Sequence, residues 1–174
     1  MTSRSSSPSG ARHRAREVAL QTLFAVDLQQ RPKRRAVSQE GVEPQPDPTP
    51  CPDPRAPKAN ALEVFEGVAE NFEMPHAAQE FARDLVVQVV ERCAGLDEIV
   101  ASHAKNWRVS RMAVVDRNIL RLATFELAHT KTATAIVLDE AVELARRFGS
   151  DESPPFVNGV LDAVARKVRT EEFE

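Results

Sequence analysis

The sequence predicts an all-α protein, a single compact bundle of about six to seven helices. Its 174 residues suit one domain, and 42% hydrophobic residues are enough to form a buried core. Apolar residues recur every three or four positions over most of the chain, which is the spacing of an amphipathic helix. Only six glycines and no tyrosine are present, and this composition disfavours a turn-rich β-sandwich or β-barrel.

The same composition predicts a cytoplasmic protein. No segment approaches 18 uninterrupted apolar residues, so no membrane span is expected. The first residues lack the apolar stretch of a secretory signal. The two cysteines, Cys51 and Cys93, form neither a disulfide framework nor a zinc-binding pattern.

The first expected element is a helix from Ala11 to about Gln30, after a serine-rich tail over residues 1–10 that should be disordered. Leu20, Phe24 and Leu28 fall on the side opposite the main apolar face of this helix. One surface helix normally buries a single stripe. The helix must therefore lie deep in the bundle or expose Phe24 to a partner.

A proline-rich insertion over residues 31–60 is expected to join the first helix to the second. Seven of the twelve prolines lie between Gly41 and Lys58, which predicts a semi-rigid, polyproline-like spacer.

Helical periodicity then predicts helices over residues 61–72, 76–93, 97–105, 112–129 and 135–148, and a last helix that Ser153 and Pro154 open. Gly95 and Gly149 are expected to end the helices before them. Thr132 or Thr134 is the expected cap of the helix at residue 135.

Charge is unevenly distributed along the chain. Residues 1–35 carry eight basic and two acidic residues, a net charge of +6, whereas the rest carries 15 basic and 24 acidic residues, a net charge of −9. The basic part predicts an arm for a polyanion, with a plain solvated tail as the alternative. Four further arginines form either a second basic edge or a solvated face: Arg108, Arg111, Arg117 and Arg121.

The basic residues Arg12, His13, Arg14 and Arg16 crowd the start of the first helix, where the helix dipole is already positive. Each cation there costs about 0.3–1 kcal/mol, and a bound phosphate would reverse that cost. We therefore expect the guanidinium groups of Arg12, Arg14 and Arg16 to be unneutralised within the protein and free to bind a nucleic acid. Phe24, about three turns further along, is either a core residue or a stacking platform for an unpaired base.

Enzyme signatures are missing from the sequence. It contains no GxGxxG, P-loop, HExxH, GxSxG or CxxC motif. Three of the four histidines lie near predicted helix ends, where a dipole-satisfying role is commoner than catalysis. We expect no catalytic residue, no cofactor and no metal site.

Four segments in this order resemble the NusB transcription antitermination family: RHRAREVALQTLFAVDLQ, VVDRNILRLATFEL, DEAVELARRFG and FVNGVLD. The resemblance implies two small helical subdomains packed together within one domain over residues 11–174. It also implies binding to boxA RNA, a short single-stranded element of ribosomal RNA leader transcripts. The implied partners are NusE, a ribosomal protein, and indirectly the RNA polymerase elongation complex, which is kept from premature termination.

The resemblance also implies roles for individual residues. An RNA-contacting motif is matched by Arg12, His13, Arg14 and Arg16, with Gln21 and Phe24 along the same helix. A second RNA-binding cluster is matched by Phe148, Glu152 and Phe156. Asp116 matches an acidic position implicated at the NusE interface. Some relatives self-associate, so a homodimer that hides the arginine face is also possible.

Three other functions are open from the sequence. The chain is alternatively a protein-only scaffold that joins ribosomal or polymerase proteins. It is alternatively an accessory domain of an RNA methyltransferase, although only five residues follow Arg169. A helix-turn-helix DNA reader is the least favoured, because the last helix carries its basic residues only at its far end.

Overall fold

The structure, a computed structural model, describes residues 8–30, 57–104 and 107–171. These ranges contain seven α-helices and a short 3₁₀ turn at Val109–Arg111, which confirms the all-α prediction. The helices are α1 Pro8–Gln30, α2 Pro57–Ala69, α3 His76–Glu91, α4 Cys93–His103, α5 Val114–His129, α6 Thr134–Phe148 and α7 Ser153–Glu171. None of these described helices combines the length and the apolar character that a membrane crossing requires.

The helices form two groups, as the resemblance implied. Helices α1, α2 and α3 pack against one another, and α5 packs against α4, α6 and α7. The two groups meet where α1 and α3 lie against α5. One continuous hydrophobic core runs through both groups, so they make a single folded unit.

Helix α5 is the central element of the bundle. All residues from position 116 to 127 are buried, polar and charged residues among them. A helix that is buried on every side must satisfy its polar groups inside the protein. Arg117, Arg121 and Glu126 of α5 therefore need internal partners, which α1 and α4 supply.

Those partners form a buried ionic network around Asp27 of α1. Asp27 accepts hydrogen bonds from Arg117 at 2.8 Å and from Asn118 at 2.9 Å. Arg121 donates to both carboxylate oxygens of Asp97 in α4, at 2.6 and 2.7 Å. Burial by itself would lower the pKa of Arg121, but the hydrogen bonds and negative charge of Asp97 outweigh it and raise that pKa. Arg117 and Arg121 thus form neither a basic edge nor a solvated face. Both pair with Asp27 of α1, at 2.8 and 3.5 Å, and so hold the two helix groups together.

Two expected boundaries differ in the structure: the end of the N-terminal tail and the end of the proline-rich insertion. Helix α1 begins at Pro8, so residues 8–10 of the expected disordered tail are helical. Helix α2 begins at Pro57, so residues 57–60 of the expected insertion are also helical. Proline is well tolerated in the first turn of a helix, where its missing N–H has no partner to lose. The rest of the tail and of the insertion, residues 1–7 and 31–56, lies outside the described residues.

Two other local predictions were wrong, and one is confirmed. Gly95 does not end a helix, because it lies inside α4, which starts after a one-residue break at Arg92. The residue that precedes α6 is Ala133, and no side chain caps that helix. Gly149 does end α6, with its N–H bonded to the carbonyl of Ala145. A Cβ at Gly149 would lie 2.5 Å from Ser153, so the close approach of α7 requires glycine here.

Candidate nucleic-acid interface

Arg12 is an exposed cation at the leading end of α1. Its guanidinium lies 5.4 Å from the centre of the Phe81 ring in α3. No carboxylate among the described residues pairs with it within 4 Å. The ring orients this charge without neutralising it. Arg12 therefore has the free guanidinium that the sequence led us to expect.

Arg16, one turn later, has the opposite environment. It is 2% exposed and donates two hydrogen bonds of 2.7 Å to the carboxylate of Glu126 in α5. Burial tends to lower the pKa of Arg16, but the hydrogen bonds to Glu126 and the charges of Glu126 and Glu140 raise it overall. The expectation of an unneutralised guanidinium is wrong at Arg16. This arginine joins α1 to α5 and is not accessible to a ligand.

His13 and Arg14 have intermediate environments, because both face the buried carboxylate of Glu17. The His13 Nε2 atom lies 3.2 Å from Glu17, and its Nδ1 atom lies 2.7 Å from Glu140. The Arg14 Nε atom lies 3.6 Å from Glu17, while its side chain is 49% exposed. Arg147 of α6 also donates a hydrogen bond to Glu17. Part of the positive charge at this end of α1 is thus held by one internal carboxylate.

An apolar groove of about 450 Å³ lies further along α1. Gln21 and Phe24 line it from α1, and Phe148 lines it from the end of α6. Both aromatic rings are half-buried, so Phe24 is neither a fully packed core residue nor a free one. The structure brings together three residues that the sequence placed in two separate clusters. The guanidinium of Arg147 lies 5.3 Å from the Phe148 ring and adds positive charge beside the groove.

A cleft of about 720 Å³ on another side of His13 has the opposite charge. Asp139, Glu140 and Glu143 line it, with Arg146 and the first turn of α7. Three carboxylates repel a phosphate backbone. A polyanion that contacts Arg12 is therefore favoured along the groove and disfavoured along this cleft.

The second expected cluster is divided between two places. Phe148 belongs to the apolar groove, whereas Phe156 lies in the first turns of α7 and packs against Trp107, with ring centres 5.3 Å apart. Glu152 is exposed in the turn before α7. Sequence reasoning missed Trp107, since a tryptophan in a short loop gave no signal beyond its being the single tryptophan of the chain.

Asp116, the residue expected at a protein interface, lies in the first turn of α5. It is 8% exposed, and its Oδ1 atom has no hydrogen-bond partner among the described residues. A carboxylate in the first turn of a helix is stabilised by the helix dipole. Its role toward a partner stays a prediction.

The fold and these surfaces define a small all-helical protein with a basic and aromatic face suited to a polyanionic strand. The NusB family model matches residues 13–166. NusB from Solibacter usitatus (strain Ellin6076) is 39% identical over 91% of this chain and 90% of its own length. NusB from Sorangium cellulosum (strain So ce56) is 41% identical over 91% of this chain and 94% of its own length. The chain belongs to the NusB family.

Solved structures agree with this assignment. The structure of T. maritima NusB has a TM-score of 0.69 and 26% identity, covering 93% of this chain and 96% of that one. A structure of the antitermination factors NusB and NusE in complex with double-stranded RNA has a TM-score of 0.66 and 26% identity. The match covers 90% of this chain and 97% of the matched chain in that structure.

Proposed function

We propose that this chain is a transcription antitermination factor that binds single-stranded boxA RNA of ribosomal RNA leader transcripts together with NusE. The observation that carries the proposal is the match to transcription antitermination proteins named NusB over about nine-tenths of both chains. The chain acts in the cytoplasm as a single non-catalytic domain. It affects the RNA polymerase elongation complex indirectly, by holding RNA and NusE together.

The arm and the groove have different tasks in this proposal. Arg12 and the exposed part of Arg14 contact phosphates, which position a strand without reading its sequence. Gln21, Phe24 and Phe148 accept an unpaired base, since aromatic rings stack on bases and an amide bonds to base edges. Arg16 keeps its expected place in the RNA motif only indirectly, by fixing α1 against α5.

The partner contacts follow from the charge of the body. Outside residues 1–35 the chain carries a net charge of −9. An acidic surface favours a basic ribosomal protein and raises its association rate. We assign Asp116 to this contact with NusE and Glu152 to the RNA side.

Fluorescence anisotropy with a labelled boxA-like RNA and a scrambled control tests the proposal, with and without NusE. The logarithm of the binding constant should fall with the logarithm of salt concentration, by about 0.7 per phosphate neutralised. Arg12→Ala should reduce that slope by about 0.7. Arg83→Ala removes an exposed arginine of α3 outside the proposed RNA surface and is the matched control.

The outcomes separate the alternatives. If Arg12→Ala leaves RNA affinity unchanged while NusE still binds, the chain is a protein-only scaffold and the RNA proposal is wrong. If RNA affinity falls as the chain concentration rises, a homodimer covers the arm. Equal affinity for the boxA-like and scrambled RNA would contradict boxA recognition.

A further inference from the structure

We propose that Trp107, together with Phe156, forms a second base-stacking platform for single-stranded RNA, flanked by Arg108 and Arg111. The inference rests on the proposed RNA-binding function and extends it to a loop that neither the family resemblance nor the charged arm indicates. The platform lies where the segment between α4 and α5 meets the first turns of α7.

The exposure of Trp107 is the first observation. Its side chain is 55% exposed, which makes it the most exposed large hydrophobic side chain among the described residues. More than half of the Trp107 surface is therefore not used in packing and is accessible to a ligand. The backbone of Trp107 is attached to the end of α4, because the Trp107 N–H bonds to the Ala104 carbonyl at 3.1 Å. A large aromatic ring that is exposed at an anchored backbone position is suited to binding.

The geometry of the aromatic pair is the second observation. The rings of Trp107 and Phe156 are tilted by 55°, with centres 5.3 Å apart. Phe156 is half-buried and supports the indole from one side. A tilted contact leaves indole surface uncovered, and a base can stack on that surface. Base faces are accessible in a single strand and covered in a duplex.

Charge decides which ligand fits the platform. Arg108 and Arg111 are exposed, and neither forms an ion pair with a residue that the structure describes. Guanidinium groups next to an aromatic platform match a nucleotide, which joins a phosphate to a base. Glu152, one helical turn before Phe156, is exposed as well. Its carboxylate repels phosphates but accepts hydrogen bonds from base amino groups, so it favours bases at this place.

Trp107 gives the test a specific signal, because the chain has one tryptophan and no tyrosine. Intrinsic indole emission of the full chain therefore reports on this side chain alone. On titration with boxA-like single-stranded RNA, we expect emission to decrease and acrylamide quenching to be reduced. Both changes should saturate at the RNA concentration where the anisotropy of labelled RNA saturates.

Three substitutions separate stacking from packing. Trp107→Ala should weaken RNA binding roughly 5- to 150-fold, the change that corresponds to about 1–3 kcal/mol per stacked base. Trp107→Phe keeps an aromatic ring and should recover part of that loss, whereas Trp107→Leu keeps apolar packing and should not. Ile136→Ala, which truncates another exposed apolar residue on α6, should bind RNA like the unmodified chain.

Three other results would overturn the inference, and they show whether the platform alone or the proposed RNA-binding function is wrong. If anisotropy shows RNA binding while indole emission and the affinity of Trp107→Ala are unchanged, the platform is wrong and the proposed function stands. If Trp107→Leu binds as tightly as the unmodified chain, Trp107 acts by packing. If no RNA binds in anisotropy, with or without NusE, the proposed function and the platform both fail.

Discussion

Replacing Arg16 by alanine should destabilise the protein strongly, although Arg16 belongs to a sequence motif that suggests ligand contact. The substitution leaves the Glu126 carboxylate, which is 1% exposed, without the two hydrogen bonds of 2.7 Å that Arg16 donates. Removing one partner of a buried ion pair costs about 3–5 kcal/mol. The total stability of a domain is about 5–15 kcal/mol, so this loss is a large share of it.

Urea unfolding followed by circular dichroism measures this change in the free energy of unfolding. Thermal unfolding measures the corresponding change in melting temperature. For a chain of this length each 1 kcal/mol corresponds to about 2–4 °C in melting temperature, so Arg16→Ala should melt about 6–20 °C lower. Arg12→Ala is the matched control, since Arg12 is exposed and loses only a cation–π contact worth about 0.5–1 kcal/mol. Replacing both Arg16 and Glu126 by methionine removes both charges and should recover most of the loss.

The reasoning would be refuted if Arg16→Ala cost less than about 1 kcal/mol, or if the double substitution were as unstable as the single one. A further check concerns RNA. When affinity is expressed per folded molecule, Arg16→Ala should bind RNA more tightly than Arg12→Ala does. The reverse order would show that Arg16 reaches the ligand after all.

Three further predictions concern the α6–α7 turn, pH and Glu17. Gly149→Ala should cost about 1–3 kcal/mol in urea unfolding, because the new Cβ overlaps Ser153 at 2.5 Å, whereas Gly67→Ala, with nothing within 4 Å, should not destabilise. The raised pKa of Arg16 means that its contribution is complete below the ordinary arginine pKa and is lost only as pH rises through the raised pKa. The stability difference between the unmodified chain and the double methionine variant, which lacks both Arg16 and Glu126, should therefore be the same at pH 7 and pH 10 in urea unfolding. Glu17→Gln should increase RNA affinity at low salt by up to about fivefold, because Arg14 and Arg147, whose side chains are about half exposed, would be released from ion pairs worth about 0.2–1 kcal/mol each. Unchanged affinity would show that Glu17 does not compete with phosphate.

The helices were predictable from sequence because their apolar residues repeat with the helical period over long segments. Gly95 shows where this approach fails. Glycine costs only about 1 kcal/mol within a helix. Buried Leu96 and Val100 on the same helix outweigh that cost through their packing. A local end signal was therefore overruled by contacts between helices.

Arg12 and Arg16 of α1 show why the site was only partly predictable. Arg12 and Arg16 are the same residue type one turn apart, and sequence gives them the same role. Their difference comes from Glu126, which is 110 positions away from Arg16 and faces it only after α5 is packed. Trp107 and Phe156 likewise meet only in the folded chain. Charge patterns locate a basic segment, whereas packing decides which of its cations remain exposed.

In the proposed binding mode, a phosphate that reaches this end of α1 must exchange with the shared carboxylate of Glu17. His13, Arg14 and Arg147 already have an anion between them, and that anion is 1% exposed. A phosphate must draw Arg14 and Arg147 away from Glu17 and leave its carboxylate poorly compensated. A polyanion that binds only through its phosphates displaces Glu17 poorly. A strand that is also held by stacked bases displaces it more readily. In this proposal, Glu17 therefore disfavours RNA that contacts this end of α1 through its phosphates alone.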